Sequence, residues 1–566
     1  MKVDATEKFL AKLLGLAGAF TTIFLISGSV TDPVNAPKMV SLGVLGSAAF
    51  ATIISSKLRM FLAEHKVAIF LVAVFFLFMS ISSFASQSPL TQLLYGAYGR
   101  NNGLLTYLFL GLIFLSAICL NSQESFRSLF TGFFLAGTIN IFYCLWVIVF
   151  GDFISWNNPY KSPLGTLGNP NFIGAFLGMF FTVLISVILD KESRKALRYF
   201  ALILTPICAF EIVQTHAIQG RVVAVAGSSL VVSLFLRAKA NRLVLILYSA
   251  ATFIVGAFAL AGAFQIGPLT AYIYKTSISL RGQYWLAGWN TGQSHPLTGV
   301  GMDSFGDWYR RMRDSHALEL PGVNTVVNAA HNVPIDIFAF GGWGLFITYL
   351  FLIGLAGLSI VRVVLRRRDF DLIFTCFATI WVGYQLQSII SINQIGLAVW
   401  GWLLSGALIA YERVTRNNSK EKSDQTESSR KTKSLQGASV SPSVFLTATL
   451  AGLLGFLTTL PPLTSDAKWL NASKARTVAA LEEALKPSYF NPPNSTKYFQ
   501  SIQALEQSNL FDLSHKYALQ ATIWNPDCFE FWKVLYFLKN STTEDRANAV
   551  ANMKRLDPLN PDVTSA

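Results

Sequence analysis

Charge is the first scarcity of this 566-residue chain: Asp, Glu, Lys and Arg make up 13% of it, about half the ~25% of a soluble globular protein. So few ions cannot clothe a water-facing surface, which excludes a single soluble domain. Cysteine is thin as well. Of five cysteines, Cys119, Cys144, Cys208 and Cys376 lie inside apolar runs and Cys528 has no evident partner, so no disulfide framework is expected. Histidine occurs six times. No Cys/His cluster or paired-Asp motif marks a metal site, and no glycine-rich phosphate loop faces the cytoplasm. Neither a metal nor a cofactor is expected.

What the chain has in quantity is apolar sequence, 52% of its residues, gathered into blocks. Stretches such as 67–86, 104–120, 128–150 and 243–267 carry no ionised side chain and have the ~17–25 residues that cross a hydrocarbon core. Thirteen spans are predicted: 9–30, 39–56, 67–86, 104–120, 128–150, 171–189, 199–215, 222–237, 243–266, 334–361, 371–391, 395–412 and 444–460. The first has Lys2, Lys8 and Lys12 before or within it and no clear small-x-small cleavage site, so it reads as a span rather than a secretory leader.

The net charge of +14 is topological and does not point to nucleic acid. Of 45 Lys and Arg, 25 fall at the N-terminus and in every second loop, 9 in the alternate loops and 11 after the last span. Basic residues collect in cytoplasmic loops, so the N-terminus is expected inside and the tail outside. The chain is thus expected in the cell (inner) membrane, multi-pass, in contact with its lipids. The fold class is all-α: a polytopic helical bundle of about 12–13 spans in residues 1–412, with 267–333 as one long extracytoplasmic loop. Residues 413–442 read as a flexible cytoplasmic linker, 443–462 as the final membrane helix, and 463–566 as a small extracytoplasmic helical domain. In that tail, Ala521-Thr522-Ile523-Trp524-Asn525-Pro526 resembles Met553-Lys554-Arg555-Leu556-Asp557-Pro558, close to the ~34-residue period of tetratricopeptide helix pairs. Such tails imply a protein partner.

Polar residues at membrane level require a reason, because charges are costly there. The long loop enters with Arg281-Gly282-Gln283-Tyr284-Trp285 and Trp289, which suit an interfacial amphipathic helix. Pro296, Gly299 and Gly301 then predict a tight turn whose N–H groups can approach an anion. The loop leaves through His331-Asn332-Val333-Pro334, followed by Gly341-Gly342-Trp343-Gly344. A histidine there titrates near neutrality and can serve as general base, or is simply a solvated residue. Glu211 lies in apolar surroundings one turn deep, with Arg221 or Arg281 as expected partners. Arg100 stands among glycines, and Asn169 and Asn171 open the sixth span; each can hydrogen-bond a head group or belong to a plain turn. Several guanidiniums at one membrane face suit a phosphate-bearing lipid, because the planar fork pairs bidentately with phosphate oxygens.

Arg281-x3-Trp285, then Pro296-Leu297-x-Gly299-x-Gly301 and Phe305, closing with His331-Asn332 and Gly341-Gly342-x-Gly344, resembles the signature of the O-antigen ligase/polymerase family. So do Gly165–Asn171, Gly220-Arg221 and Asp32-Pro33 with Pro37-Lys38. The resemblance covers roughly residues 9–412. It implies a metal-independent membrane transferase that moves a glycan from a polyprenyl-diphosphate carrier to an acceptor: a lipid core sugar, a growing glycan (polymerase) or a protein (O-oligosaccharyltransferase). It further implies that Arg221 and Arg281 hold the diphosphate and that His331 activates the acceptor hydroxyl, with Arg100, Asn169, Asn171, Glu211 and Asn332 as substrate-binding residues. The thirteenth span and the tail depart from the simplest ligase pattern. The rival class, a transporter or flippase for a lipid-linked solute, calls for inverted repeats and midplane polar groups, and neither is evident in the sequence.

Overall fold

The computed structural model describes residues 4–156, 158–424 and 439–564, and among these the chain is helical with no strand. Among the described residues ten helices are long and apolar enough to cross a membrane, and the protein is a polytopic helical membrane protein. The Arg242–Ala263 helix buries none of its apolar window: Leu243, Phe253, Val255 and Leu260 all face outward, which only lipid makes tolerable. The three other predicted spans fall on Ala5–Ile23, Leu104–Ala117 and Leu372–Ser388. At 14 residues, Leu104–Ala117 is ~21 Å long at ~1.5 Å per residue, short of the ~30 Å core. Being walled in, it need not match the bilayer. Leu110, Ile113 and Phe114 are buried, the Phe114 ring meets Trp402 edge-on, and Gly406 lets the neighbouring Ile395–Asp424 helix reach the Phe114 carbonyl.

Small residues set the closest approaches, as expected where lipid tails give helix association no hydrophobic drive. A Cβ on Gly43 would meet the Thr459 side chain at 2.6 Å, locking Asn35–Glu64 to Pro442–Ala475. Gly220 fits against Gly174, where a Cβ would lie 2.6 Å from the Gly174 carbonyl oxygen. That contact aligns the starts of Pro170–Leu189 and Ile218–Lys239 at one end of the bundle. Lys38, counted among the loop charges, is instead fully buried and donates to the Thr22 and Phe24 carbonyls. A cation there satisfies carbonyls left open at the end of Ala5–Ile23.

Val333–Arg366 breaks at Gly341 and at Gly342, which has φ 63°. The break frees carbonyls, and the turn at Pro296–Gly301 takes them up: Val300 N–H donates to the Ala339 carbonyl (3.0 Å) and Gly301 N–H to that of Phe340 (3.1 Å), while Trp343 N–H returns to the Pro296 carbonyl (2.8 Å). The glycine turn was expected to offer N–H groups to an anion. Two of those groups are instead spent on the kinked helix, because buried carbonyls must be paired.

The long loop is largely helical, with Thr276–Ser294 and Phe305–Met312 as its main elements. The Ile395–Asp424 helix runs into the segment read as linker, and residues 425–438 of that segment lie outside the described residues. The final span does not stop near 462 either. Pro442–Ala475 is one helix that carries buried Asp466 to the loop layer, where it accepts from Thr31 N–H and Asp32 N–H (2.8 Å each) and from Tyr98 (2.9 Å). The tail then forms helix pairs, Ser495–Gln507 with Phe511–Trp524 and Phe529–Phe537 with Thr543–Leu556.

Candidate active site at the loop end of the bundle

Arg281 and Tyr284 lie three residues apart on Thr276–Ser294 and so share a helix face. The Tyr284 ring lies 5.6 Å from that of His331 and 6.0 Å from that of buried Tyr309, centroid to centroid. His331 has φ 55°; this left-handed residue precedes Asn332, whose side chain caps Val333–Arg366 by accepting from Ile335 N–H (3.1 Å). Burial, then the positive charges of Arg281 and Arg100, lower the His331 pKa to about 4. At neutral pH its ring is therefore uncharged and able to accept a proton.

Arg281 is the unusual cation here. Arg310, Arg311 and Arg313, the other arginines of the loop, all pair with carboxylates. Arg281 pairs with none among the described residues. It makes one long hydrogen bond to the Ser277 carbonyl (3.3 Å), and its Nε is buried without a partner. Burial lowers its pKa, yet a guanidinium retains its charge, so most of its donors await an acceptor. The Tyr309 hydroxyl is likewise buried and unpartnered, and burial holds it protonated by raising its pKa to about 12. Sequence reading passed over Tyr309. The signal was available: it follows Phe305 by four residues, on a helix face whose Tyr309 ring meets that of Tyr284.

The other predicted residues are placed differently. Arg100 stands behind His331, with its guanidinium committed to Asp303 and the Asn328 carbonyl. Asp303 is held in turn by Ala97 N–H (2.7 Å). Asn332 is a cap that also donates to the Ile389 carbonyl (2.9 Å). Asn169 caps Pro170–Leu189 by accepting from Asn171 N–H (2.9 Å), and Asn171 is half-buried beside it. Arg221 is exposed in the first turn of Ile218–Lys239, at the same end as Asn169 and Asn171, and makes no ion pair among the described residues. Neither expected partner, Arg221 nor Arg281, pairs with Glu211 among the described residues. Both its oxygens are buried with no hydrogen bond, because the side chain turns inward beside Cys144 and Cys208 while Arg221 faces out.

The loop also meets the tail. Asp557 accepts from both Arg310 (3.0 Å) and Arg313 (2.8 and 2.9 Å), Glu530 accepts from Arg310 (2.9 Å), and Asp527 pairs with Arg311 (2.8 Å). Asn525 donates to Asp307 (3.2 Å). The two similar tail segments thus place their Asn525 and Asp557 on one loop helix, Phe305–Met312.

A lipid-facing helical bundle of this kind is a multi-pass membrane protein, and at one end it sets a half-buried guanidinium, without a carboxylate partner among the described residues, near a neutral imidazole. Residues 218–350 match the family model described as O-antigen ligase, a match that supports the O-antigen ligase family for this part of the chain. The matched segment contains Arg221, Arg281, Tyr309 and His331. No curated protein matches the chain.

Proposed function

We propose that the protein transfers a glycan from a polyprenyl-diphosphate carrier to an acceptor hydroxyl at the extracytoplasmic face of the membrane, with its N-terminus cytoplasmic and its tail extracytoplasmic. The carrying observation is Arg281, a half-buried guanidinium whose Nε is buried without a partner and which pairs with no carboxylate among the described residues, near uncharged His331. Arg281, with exposed Arg221 as the second cation, binds the diphosphate. His331 removes the acceptor proton as the acceptor oxygen attacks the anomeric carbon. The bond from that carbon to the diphosphate oxygen breaks, and the electron pair leaves with the lipid diphosphate, whose charge the guanidiniums stabilise. The Tyr309 hydroxyl donates to the same oxygens.

Binding and catalysis reinforce one another in this scheme. Arg281 suppresses protonation of His331 in the free protein, and a diphosphate that neutralises Arg281 lifts this effect and makes the imidazole a stronger base when the donor is in place. One direct displacement inverts the anomeric centre. NMR assignment of the new glycosidic bond tests this: the opposite configuration to the donor is expected, and retention refutes the single-displacement scheme.

A further inference from the structure

A cavity of about 300 Å³ lies between the loop layer and the tail. Tyr98, Phe499, Trp524 and Phe531 supply aromatic surface to it, and Asn101 and Asp307 polar groups. No lysine or arginine lines it, whereas Asp303, Asp307 and Glu530 do. Asp303 and Glu530 are ion-paired with Arg100 and Arg310, so the wall offers carboxyl and amide acceptors and, unlike the Arg281 site, no free cation for a diphosphate. Flat aromatic faces beside amide and carboxyl acceptors are the surfaces that fit a sugar, which presents C–H groups on its faces and hydroxyls at its edge. Asn101 adds an independent observation: it is 4% exposed, lines the cavity, and its Oδ1 has no hydrogen-bond partner. A buried amide oxygen left open is costly unless a ligand hydroxyl fills it.

The cavity backs onto the reaction site. Asp303 and Asn328 form part of its wall, and both hold Arg100, whose charge acts on His331. We propose that this cavity is a saccharide subsite that binds an uncharged portion of the glycan or acceptor, and that the tail serves as its second wall. The role rests on the transferase reading; the binding does not, and the two are tested apart.

Binding of a panel of neutral di- to tetrasaccharides to the full-length protein in detergent is measured by saturation-transfer NMR and calorimetry, with inorganic pyrophosphate as the anionic comparison. Asn101→Gly removes the amide and retains a backbone with φ 55°; Thr496→Trp, at the half-buried helix start lining the cavity, fills the space. At least one neutral glycan is expected to bind, about tenfold more weakly in Asn101→Gly and not measurably in Thr496→Trp. Arg281→Ala is expected to leave that binding intact and to weaken only pyrophosphate. If no neutral glycan binds, or if both cavity variants bind as wild type, the subsite is overturned whatever the transferase assay gives. Glycan binding in a protein that transfers nothing would retain the subsite and overturn the transferase reading.

Discussion

Asp557→Ala should release the tail from the loop without unfolding the membrane helices. Asp557 is fully buried and receives three hydrogen bonds from Arg310 and Arg313, which are themselves 4% and 3% exposed. Its loss leaves Arg313 with no carboxylate and only the Val323 carbonyl (2.9 Å), and Arg310 with Glu530 and that same carbonyl (3.0 Å). Removing one partner of a buried pair costs ~3–5 kcal/mol, or ~10²–10³ in the docking equilibrium at ~1.4 kcal/mol per decade. The assay is amide hydrogen exchange of the full chain in detergent, read on Phe305–Met312 and Thr543–Leu556. Exchange there should speed up by up to ~10²–10³ while the Leu104–Ala117 and Ile395–Asp424 helices stay protected. Lys554→Ala, an exposed change on the same helix, is the control and should do nothing. Unchanged exchange at Phe305–Met312 in Asp557→Ala would refute the claim that these ion pairs hold the tail in place.

Four further outcomes are expected. Gly342→Ala puts a side chain at φ 63° and onto the Pro296 carbonyl, so stability should fall by ~1–3 kcal/mol, read as a lower thermal midpoint in detergent. Because the His331 pKa is lowered to about 4, the imidazole is neutral above that pH, and the acid limb of kcat/KM should lie near 4 rather than ~6.5; Arg281→Gln removes a cause of the lowering and should move the limb upward. Between those two values the unfolded chain binds a proton that the folded one does not, so His331 makes stability fall as pH drops from ~6.5 toward 4, and His331→Asn should flatten that slope in a denaturation series. Arg281→Lys retains the charge but loses the fork, and should lower kcat/KM by ~10²-fold with an unchanged thermal midpoint.

The membrane bundle was legible because its signal is length and apolarity, which survive without knowledge of neighbours. The positions of the expected spans follow from that signal, including the short Leu104–Ala117. What a short helix does in the interior was not legible, since it depends on Trp402 and Gly406, nearly 300 residues away. The pairing of Arg281 with His331 was available as two ends of one loop, and the family resemblance joined them. The commitment of Arg100 to Asp303 was not, because an isolated arginine among glycines carries no record of its partner. Glu211 failed for a related reason: sequence spacing gives depth along a helix, whereas a partner depends on which way the side chain turns. The repeat around Asn525 and Asp557 was visible as a repeat, and its use, gripping Phe305–Met312, needed the fold.

The central claim is that Arg281 and His331 form the site of glycan transfer. Purified protein in detergent, with a polyprenyl-diphosphate-linked glycan, candidate lipid, glycan and protein acceptors, and a chelator present, tests it most directly. Wild type should transfer glycan at a rate the chelator does not change. Arg281→Ala and His331→Ala should each lose transfer while retaining the wild-type thermal midpoint. Transfer that persists in both variants would contradict the site, and a wild type that only binds the lipid or moves it between leaflets would contradict the function.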